Sequence, residues 1–413
     1  MNSPTVSVAI ASRGRPDALM TCLSAVARLC RATFEIVVVA DREGMARLEN
    51  SALAARVKSV RCDIANISLA RNLALERAAG DVVAFLDDDS TPEPAWLFHL
   101  IRPFRDPSVM AATGFVLGRN GISFQTRAQM IDSCGFARDI PFADTAPALM
   151  PPPADGAVST IGTNCAFRTQ ALRSIGGFDP AFRYFLDETD VNMRLARLGA
   201  VTAVVPLAQV HHRSLGSHLR TGDRVPLSLF EIGRSRAIFL RRHAPEAAWK
   251  TALERERAQQ HRRLFRHATA GRLAAEDIAP LLTTLQEGMD SGQRAHPAPV
   301  SPMRGAVAPF LAFRRSDEAV SHRMIVGPAR KASQLRRRAR EAAAESPVVS
   351  LFVFSNSARP HRVRYRRDGY WEQTGGVWGR SRRDGPLFRP GTLARRAMRE
   401  QDRIAPVRFP WDN

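Results

Sequence analysis

Three consecutive aspartates, Asp87-Asp88-Asp89, follow directly on the apolar run Val82-Val83-Ala84-Phe85-Leu86. A run so rich in β-branched and aromatic residues reads as a buried strand, and Ser90-Thr91-Pro92-Glu93-Pro94 stops it with turn chemistry. Adjacent carboxylates at the end of a buried strand repel one another and resist desolvation. A hard divalent cation, Mg²⁺ or Mn²⁺, relieves both penalties and favours carboxylate and phosphate oxygens. Side chains alternate along an extended chain, so Asp87 and Asp89 can face the same way. The plain alternative is a solvated acidic turn, and the rest of the chain weighs against it.

A second acidic cluster, Asp187-Glu188-Thr189-Asp190, stands about one hundred residues downstream and opens a helix that stops at Gly199. Acidic residues at a helix N-terminus are favoured by the macrodipole, so capping alone is one explanation. A carboxylate beside a metal–diphosphate site is also suited to take a proton from a substrate hydroxyl. Arg194, one turn beyond Asp190, reads as its ion-pair partner. The strand that follows ends in His211-His212. Neighbouring strand residues point to opposite faces, so one imidazole at most faces the acids, where it would complete a metal site.

These residues need a scaffold, and the first half of the chain supplies one. Residues 5–11 read as a strand, Arg15-Pro16-Asp17 opens a helix reaching about Leu29, and residues 34–40 form a second strand ending at Asp41. A helix starting near Ser68 closes at Ala79-Gly80-Asp81, before the triple-aspartate strand. Such alternation predicts a largely parallel sheet covered on both faces, with ligands at the carboxyl ends of the strands. Asp41 and the triple aspartate would share that crevice. Residues 138–155, rich in proline, read as a mobile loop or active-site flap.

Residues 227–286 have a helical pattern, 291–310 (with Pro297, Pro299, Pro302 and Pro309) a linker composition, and 332–340 a basic helix. A β-rich tail includes 348–354 and a hairpin over 362–370 turning at Asp368-Gly369. The expected organisation is 1–243, a helical extension 244–290, a Pro/Arg-rich linker and basic helix 291–345, and a small basic module 346–413.

Hydrophobic content of 45% in 413 residues supports a sizeable core. The net charge of +20 is unevenly placed: residues 1–220 carry 23 basic and 21 acidic side chains, residues 221–413 carry 37 and 19. That asymmetry points to an anionic partner for the C-terminal half. No segment has the apolar length of a spanning helix or the pattern of a signal peptide, and five scattered cysteines lack a CxxC pair. The expectation is a reduced, cytoplasmic protein, with peripheral association on the inner membrane face through residues 330–400.

Taken in order, the motifs resemble the family 2 glycosyltransferases of the GT-A fold. The likeness runs from Val6-Ser7-Val8-Ala9-Ile10-Ala11-Ser12-Arg13 through Ala70-Arg71-Asn72 and Phe85-Leu86-Asp87-Asp88-Asp89. It continues through Gly176-Gly177-Phe178-Asp179, Leu186-Asp187-Glu188-Thr189-Asp190 and Pro206-x-Ala208-x-Val210-x-His212, covering roughly residues 4–243. The resemblance implies an α/β fold with a mixed, Rossmann-like sheet and helices on both faces.

It also implies roles. Ala11, Ser12, Arg13 and Asp41 would hold the nucleotide base, Arg71 would lie near base or phosphates, and Asp87 or Asp88 would contact ribose. Asp89 would coordinate the divalent metal, with His212 its downstream ligand. Glu188 aligns with the catalytic base; many relatives carry Glu-Asp where this chain has Asp187-Glu188, which leaves Asp187 and Asp190 open for that role. The implied reaction is inverting transfer of a sugar from a nucleoside-diphosphate sugar to a hydroxyl of a saccharide, lipid-linked or other acceptor, as in cell-surface polysaccharide or glycolipid assembly.

Two other classes compete. Asp87-x-Asp89-x-Thr91 fits a haloacid-dehalogenase-like phosphatase signature, but that motif belongs on a first strand and residues 90–240 contain no lysine. A nucleic-acid-binding reading rests on the arginine runs near Tyr365, Tyr370 and Trp371, where aromatics could stack bases. The Trp/Gly-rich stretch 370–381 admits sugar stacking or simple packing of the tail onto the main body.

Overall fold

The computed structural model describes residues 3–142, 145–296, 300–314 and 320–409. Its main sheet has ten strands. Along its principal path the order is Ala148–Met150, Val201–His212, Val109–Leu117, Asn164–Arg168, Val82–Asp87, Val6–Ser12, Phe34–Ala40 and Lys58–Arg61. The last four run parallel, as the strand–helix alternation predicts. The triple-aspartate strand is the fourth in the chain rather than the third, because the half-exposed Lys58–Arg61 strand has no apolar run to mark it.

The other half of the sheet is mixed. Asn164–Arg168 runs antiparallel to both its neighbours, so the sheet is less parallel than simple alternation suggests. The reason lies in the connection over 118–163, which returns through short strands instead of a crossover helix. Part of the expected flap belongs to this ordered return. Ala137–Asp139 pairs with Gln129–Ile131, and Ala148–Met150 pairs with the long strand Val201–His212. Residues 143–144 of that stretch lie outside the described residues.

Helices cover both faces. Pro16–Val26, begun by a proline at its first turn, buries Leu19, Leu23 and Val26 against the alternate side chains Val8, Ile10, Ile36 and Val38. On the opposite face Ile67–Arg77, capped by Asn66, and Asp187–Ala196 bury Leu75, Val191 and Leu195 against Val37, Val39, Val83 and Phe85. Burying large aliphatic side chains contributes about 1.5–3 kcal/mol each, which fixes the sheet that carries the aspartates.

Beyond the sheet, Phe230–His243, Trp249–Thr269 and Ile278–Arg294 pack together as helices. A Cβ on Gly288 would sit 2.0 Å from the Phe230 carbonyl oxygen, so that close approach requires glycine. Residues 300–314, read as a linker, lie along the main body: Met303 N donates to Arg173 O, and Phe313 stacks on Phe34 at 5.7 Å. Pro297 and Pro299 fall outside the described residues.

The C-terminal region forms a second sheet, in order His322–Pro328, Val348–Ser355, Tyr370–Gly376 and Arg362–Arg366. The helices Ala332–Glu345 and Leu393–Arg408 cover it. Tyr370 and Trp371 are each 2% exposed, so neither offers a face for bases or sugars, and packing of the tail is their role. Among the described residues, no helix is long and apolar enough to cross a membrane.

Candidate functional site

Parallel pairing sets Ala11 beside Asp87 and Ser12 beside Ala40, so three strands open their carboxyl ends on one crevice. Ser12 Oγ donates to Asp88 Oδ2 at 2.7 Å. Asp41 accepts from Gly14 N at 2.7 Å and, capping the helix Arg42–Glu49, from Gly44 N at 3.0 Å. Gly14 has a φ of +66°, a left-handed turn for which glycine carries no Cβ penalty. Ala11 is half-buried in the crevice wall, while exposed Arg13 reaches across to His218, 3.4 Å away.

The three aspartates occupy three different environments. Asp87 is half-buried and accepts from Thr163 Oγ1 at 2.6 Å, with Oδ1 3.5 Å from Arg71 Nη2. Asp88 is fully buried and pairs with Arg15 through Nε at 3.1 Å and Nη2 at 2.5 Å. Burial pushes its carboxyl up to about 7, overcoming the pull of Arg15, and the Asp89 charge adds to the rise. Asp89 accepts from Leu215 N at 2.8 Å and Arg15 Nη1 at 3.1 Å, while its Oδ1 lies 3.2 Å from His212 Nε2. Burial opposes its charge, yet His212, Arg15 and Leu215 N together hold it well below the usual carboxylate range.

Pairing of His212 with Ser90 in an antiparallel ladder brings the imidazole to the acids. Asp87, Asp89 and His212 each offer one ligand atom, and the three atoms lie within 4.8 Å of one another. His212 Nε2 is buried without a hydrogen-bond partner of good geometry, as expected of a nitrogen shaped for a metal. Two carboxylates and an imidazole fit a divalent cation such as Mn²⁺.

Arg71 joins this cluster to the downstream one. Its guanidinium, 5% exposed, pairs with Asp187, donates to Gly162 O at 3.1 Å, and lies 3.5 Å from Asp87 and 4.0 Å from Glu188. A Cβ on Gly162 would stand 2.7 Å from the Arg71 Nη2 atom, so this bridge depends on a bare backbone there. Glu188 is partly open to the crevice. Partial burial and the adjacent Asp187 charge raise its carboxyl above the ordinary value, against the pull of Arg71. Leu186, just before the helix, has a φ of +66°, a strained conformation for a branched side chain at the point where Asp187 and Glu188 are aimed.

Asp190 faces elsewhere. It is fully buried and accepts from Arg194 Nε at 2.8 Å and Arg242 Nη1 at 3.0 Å, with His243 Nε2 2.9 Å away. Despite the cost of burial, His243 and the two arginines lower its carboxyl to about 2. The expected Arg194 pair is therefore present, but inside a closed cluster tying the helix to Phe230–His243.

The adjacent histidines diverge as alternation requires. His211 turns away from the aspartates, its Nε2 2.7 Å from Glu93 Oε1 and its ring 4.7 Å from Trp371. Arg408, from the C-terminal helix, donates to both Glu93 oxygens at 2.7 and 3.0 Å and lies over Trp371. This fully buried guanidinium supports the short ladder of Ser90–Pro92 and Val210–His212 from behind.

Residues 7–176 match the family model described as glycosyl transferase family 2. This segment belongs to that family. Its sheet is mixed, with helices on both faces. The family 2 segment has relatives in "O-antigen biosynthesis protein RfbC" of Myxococcus xanthus, 26% identical over 245 residues, covering 54% of this chain and 18% of the relative. A "Pre-mycofactocin glycosyltransferase" of Mycobacterium tuberculosis is 31% identical over 147 residues, covering 35% and 29%. The chain thus spans under a third of the curated relatives it matches. Among solved structures, S. aureus TarS 1–349 in complex with UDP-GlcNAc is similar at 16% identity and a TM-score of 0.44, over 70% of this chain and 81% of that one.

Around the family 2 segment, two site residues escape a reading by motif. Arg15 neutralises Asp88 and Asp89, a task the sequence reading gave to a metal alone; its place just past the first strand, two residues from Arg13, was the available signal. Thr163 holds Asp87, and that contact depends on an antiparallel register between strands 77 residues apart.

Proposed function

We propose that this protein transfers a sugar from a nucleoside-diphosphate sugar to an acceptor hydroxyl, with inversion at the anomeric carbon. The observation that carries the reading is the Arg71 bridge, which sets Glu188 beside a metal-competent cluster of Asp87, Asp89 and His212. Glu188 is the general base: it is partly open, and its raised affinity for protons matches the task of deprotonating a hydroxyl. Asp187 serves as the counter-charge that orients Arg71. Asp190 is assigned a structural role.

A divalent cation held by Asp87, Asp89 and His212 would neutralise charge on the departing diphosphate. Arg71, beside Asp87, adds positive charge at the same end of the crevice. Ser12 and Arg15 keep Asp88 and Asp89 in place, and the wall formed by Ala11, Arg13 and Asp41 receives the base. Residues 1–243 form the transferase unit in this reading, with 244–290, 291–345 and 346–413 as appended segments. Exposed arginines such as Arg337, Arg338, Arg340, Arg362 and Arg364 offer the C-terminal region to an anionic membrane surface. The acceptor belongs to polysaccharide or glycolipid assembly.

The deciding experiment is a panel of sugar nucleotides with Mn²⁺ or Mg²⁺, reading nucleoside-diphosphate release and the anomeric configuration of any product. Release with one donor and an inverted product is expected. Retention of configuration would remove the direct-displacement mechanism, and no turnover with any donor would remove the transferase reading.

A further inference from the structure

Five arginines gather on and around the loop that follows His212, and among the described residues no carboxylate lies within ion-pair distance of them. The loop after His212 begins at Asp89, which binds Leu215 N through its side chain and Arg213 N through its carbonyl oxygen. Arg220 and Arg224 lie on this loop. Arg119 secures it by donating to Arg213 O at 3.0 Å, Ser214 O at 2.7 Å and Gly222 O at 2.5 Å. Arg263, from the helix Trp249–Thr269, docks on it by donating to Arg224 O at 3.2 Å, with Arg266 one turn further on.

Among the described residues, none of Arg119, Arg220, Arg224, Arg263 and Arg266 has a carboxylate within 4.0 Å. Asp223, the one acid on the loop, makes no ion pair either. The guanidinia instead lie within electrostatic reach of one another: burial and then mutual repulsion lower Arg224 and Arg263, and both also feel Tyr184. Arg224 also senses Asp89, and Leu215 N ties the same loop to that carboxylate, so the cluster borders the metal-competent end of the site.

Like charges held together without counter-ions cost free energy, and Arg224 adds backbone strain. Its φ is +68°, a left-handed conformation rarely adopted by side chains other than glycine, asparagine or aspartate. An arginine kept where glycine would be easier implies that the guanidinium is needed there. Arginine forks match phosphate oxygens bidentately, better than any other side chain.

We infer that Arg220, Arg224 and Arg263, flanked by Arg119 and Arg266, bind a phosphate group of the acceptor. This rests on the transferase reading above and gives that acceptor a chemical class: a hydroxyl compound bearing phosphate, as a lipid-linked phosphate or as a soluble phosphorylated glycan. The loop that carries the cluster is tied to Asp89, so the phosphate anchors the acceptor beside the crevice while its hydroxyl reaches the base.

The test titrates inorganic phosphate into the full chain saturated with Mg²⁺·UDP or Mg²⁺·GDP, and into the chain without nucleotide, for the parent, Arg224→Gly and Arg263→Gln. Phosphate affinity should fall about tenfold or more in each variant, the loss expected for one charged hydrogen bond. Affinity for Mg²⁺·UDP or Mg²⁺·GDP should not change, and Arg224→Gly should unfold at the parent temperature or above because it relieves the left-handed strain. Absence of phosphate binding, equal binding in parent and variants, or loss of nucleotide affinity instead would overturn the proposal; the last result would assign the arginines to the donor diphosphate. Sedimentation with phosphatidylcholine vesicles, with and without phosphatidic acid, separates the sources. Arginine-dependent capture by phosphatidic acid indicates a lipid phosphate, and binding of free phosphate alone indicates a soluble one. Failure of the donor panel with these phosphate results intact would sink the transferase reading without touching the site.

Discussion

Glu188 and Asp190 stand two residues apart at the start of one helix, and the fold treats them in opposite ways. Asp190 is enclosed by Arg194, Arg242 and His243 and is easy to ionise. Glu188 has Arg71 only at 4.0 Å and a like charge next to it, so it holds its proton more tightly. In the metal-competent cluster Asp89 is compensated as Asp190 is, by Arg15, Leu215 N and His212, and there it is the imidazole Nε2 that lacks a partner of good geometry. Compensated charge marks Asp190 as structural, and incomplete compensation marks Glu188 as the member of the pair that faces the crevice.

That contrast is broken most severely through its reactive member. Glu188→Gln should lower turnover by about 10²–10⁴-fold while leaving donor affinity near the parent value, read as separate kcat and KM. Unimpaired turnover in that variant, with the substrate identified, would move the base to Asp187. Asp190→Asn should instead lower stability by about 3–5 kcal/mol, because three cationic or protonatable partners lose a buried counter-charge. Denaturant unfolding measures it, and activity per folded molecule should survive. A large catalytic loss with unchanged stability would erase the distinction drawn here.

Two smaller effects sharpen the comparison. Asp87→Asn should weaken Mn²⁺ binding about tenfold or more, measured by direct titration, because one anionic ligand is lost while the fold is kept. The pH dependences should have opposite signs. Asp190 is lowered to about 2, so its stabilisation is present above the ordinary carboxylate value and is lost as pH falls through about 2. Glu188 is raised, so the folded chain holds its proton longer than the unfolded one. Its stabilisation is present at low pH and is lost as pH rises from the ordinary carboxylate value through the raised one. Glu188→Gln should therefore gain stability relative to the parent at alkaline pH, in melts run across a pH series.

Much of the scaffold was legible because its signals are local. The strands at 6–12, 34–40 and 82–87 are predominantly apolar runs, and the intervening helices carry Pro16 and Asn66 at their starts. The Lys58–Arg61 edge strand and the antiparallel return over 118–163 were not, since both are defined by pairing partners rather than by their own composition. At the site, the order of acidic motifs placed Asp87, Asp89, Glu188 and His212 in one neighbourhood. Apart from Arg194 on Asp190, one helical turn apart, which acid is neutralised by what was beyond reach. Arg15 on Asp88, and His243 with Arg242 on Asp190, are contacts across 52 to 73 residues that no spacing reveals.

The Glu93–Arg408 pair carries a consequence for the order in which the molecule is made. Glu93 and His211 are synthesised long before Arg408, and until the last helix docks, a buried acid behind the metal-competent ladder lacks its bidentate partner. The strands and both acidic clusters come from residues made earlier, whereas the bidentate partner of Glu93 comes only with the helix Leu393–Arg408. The pair thus makes the crevice answerable to a segment 315 residues away along the chain, so damage confined to that helix should be felt at the ladder that presents His212.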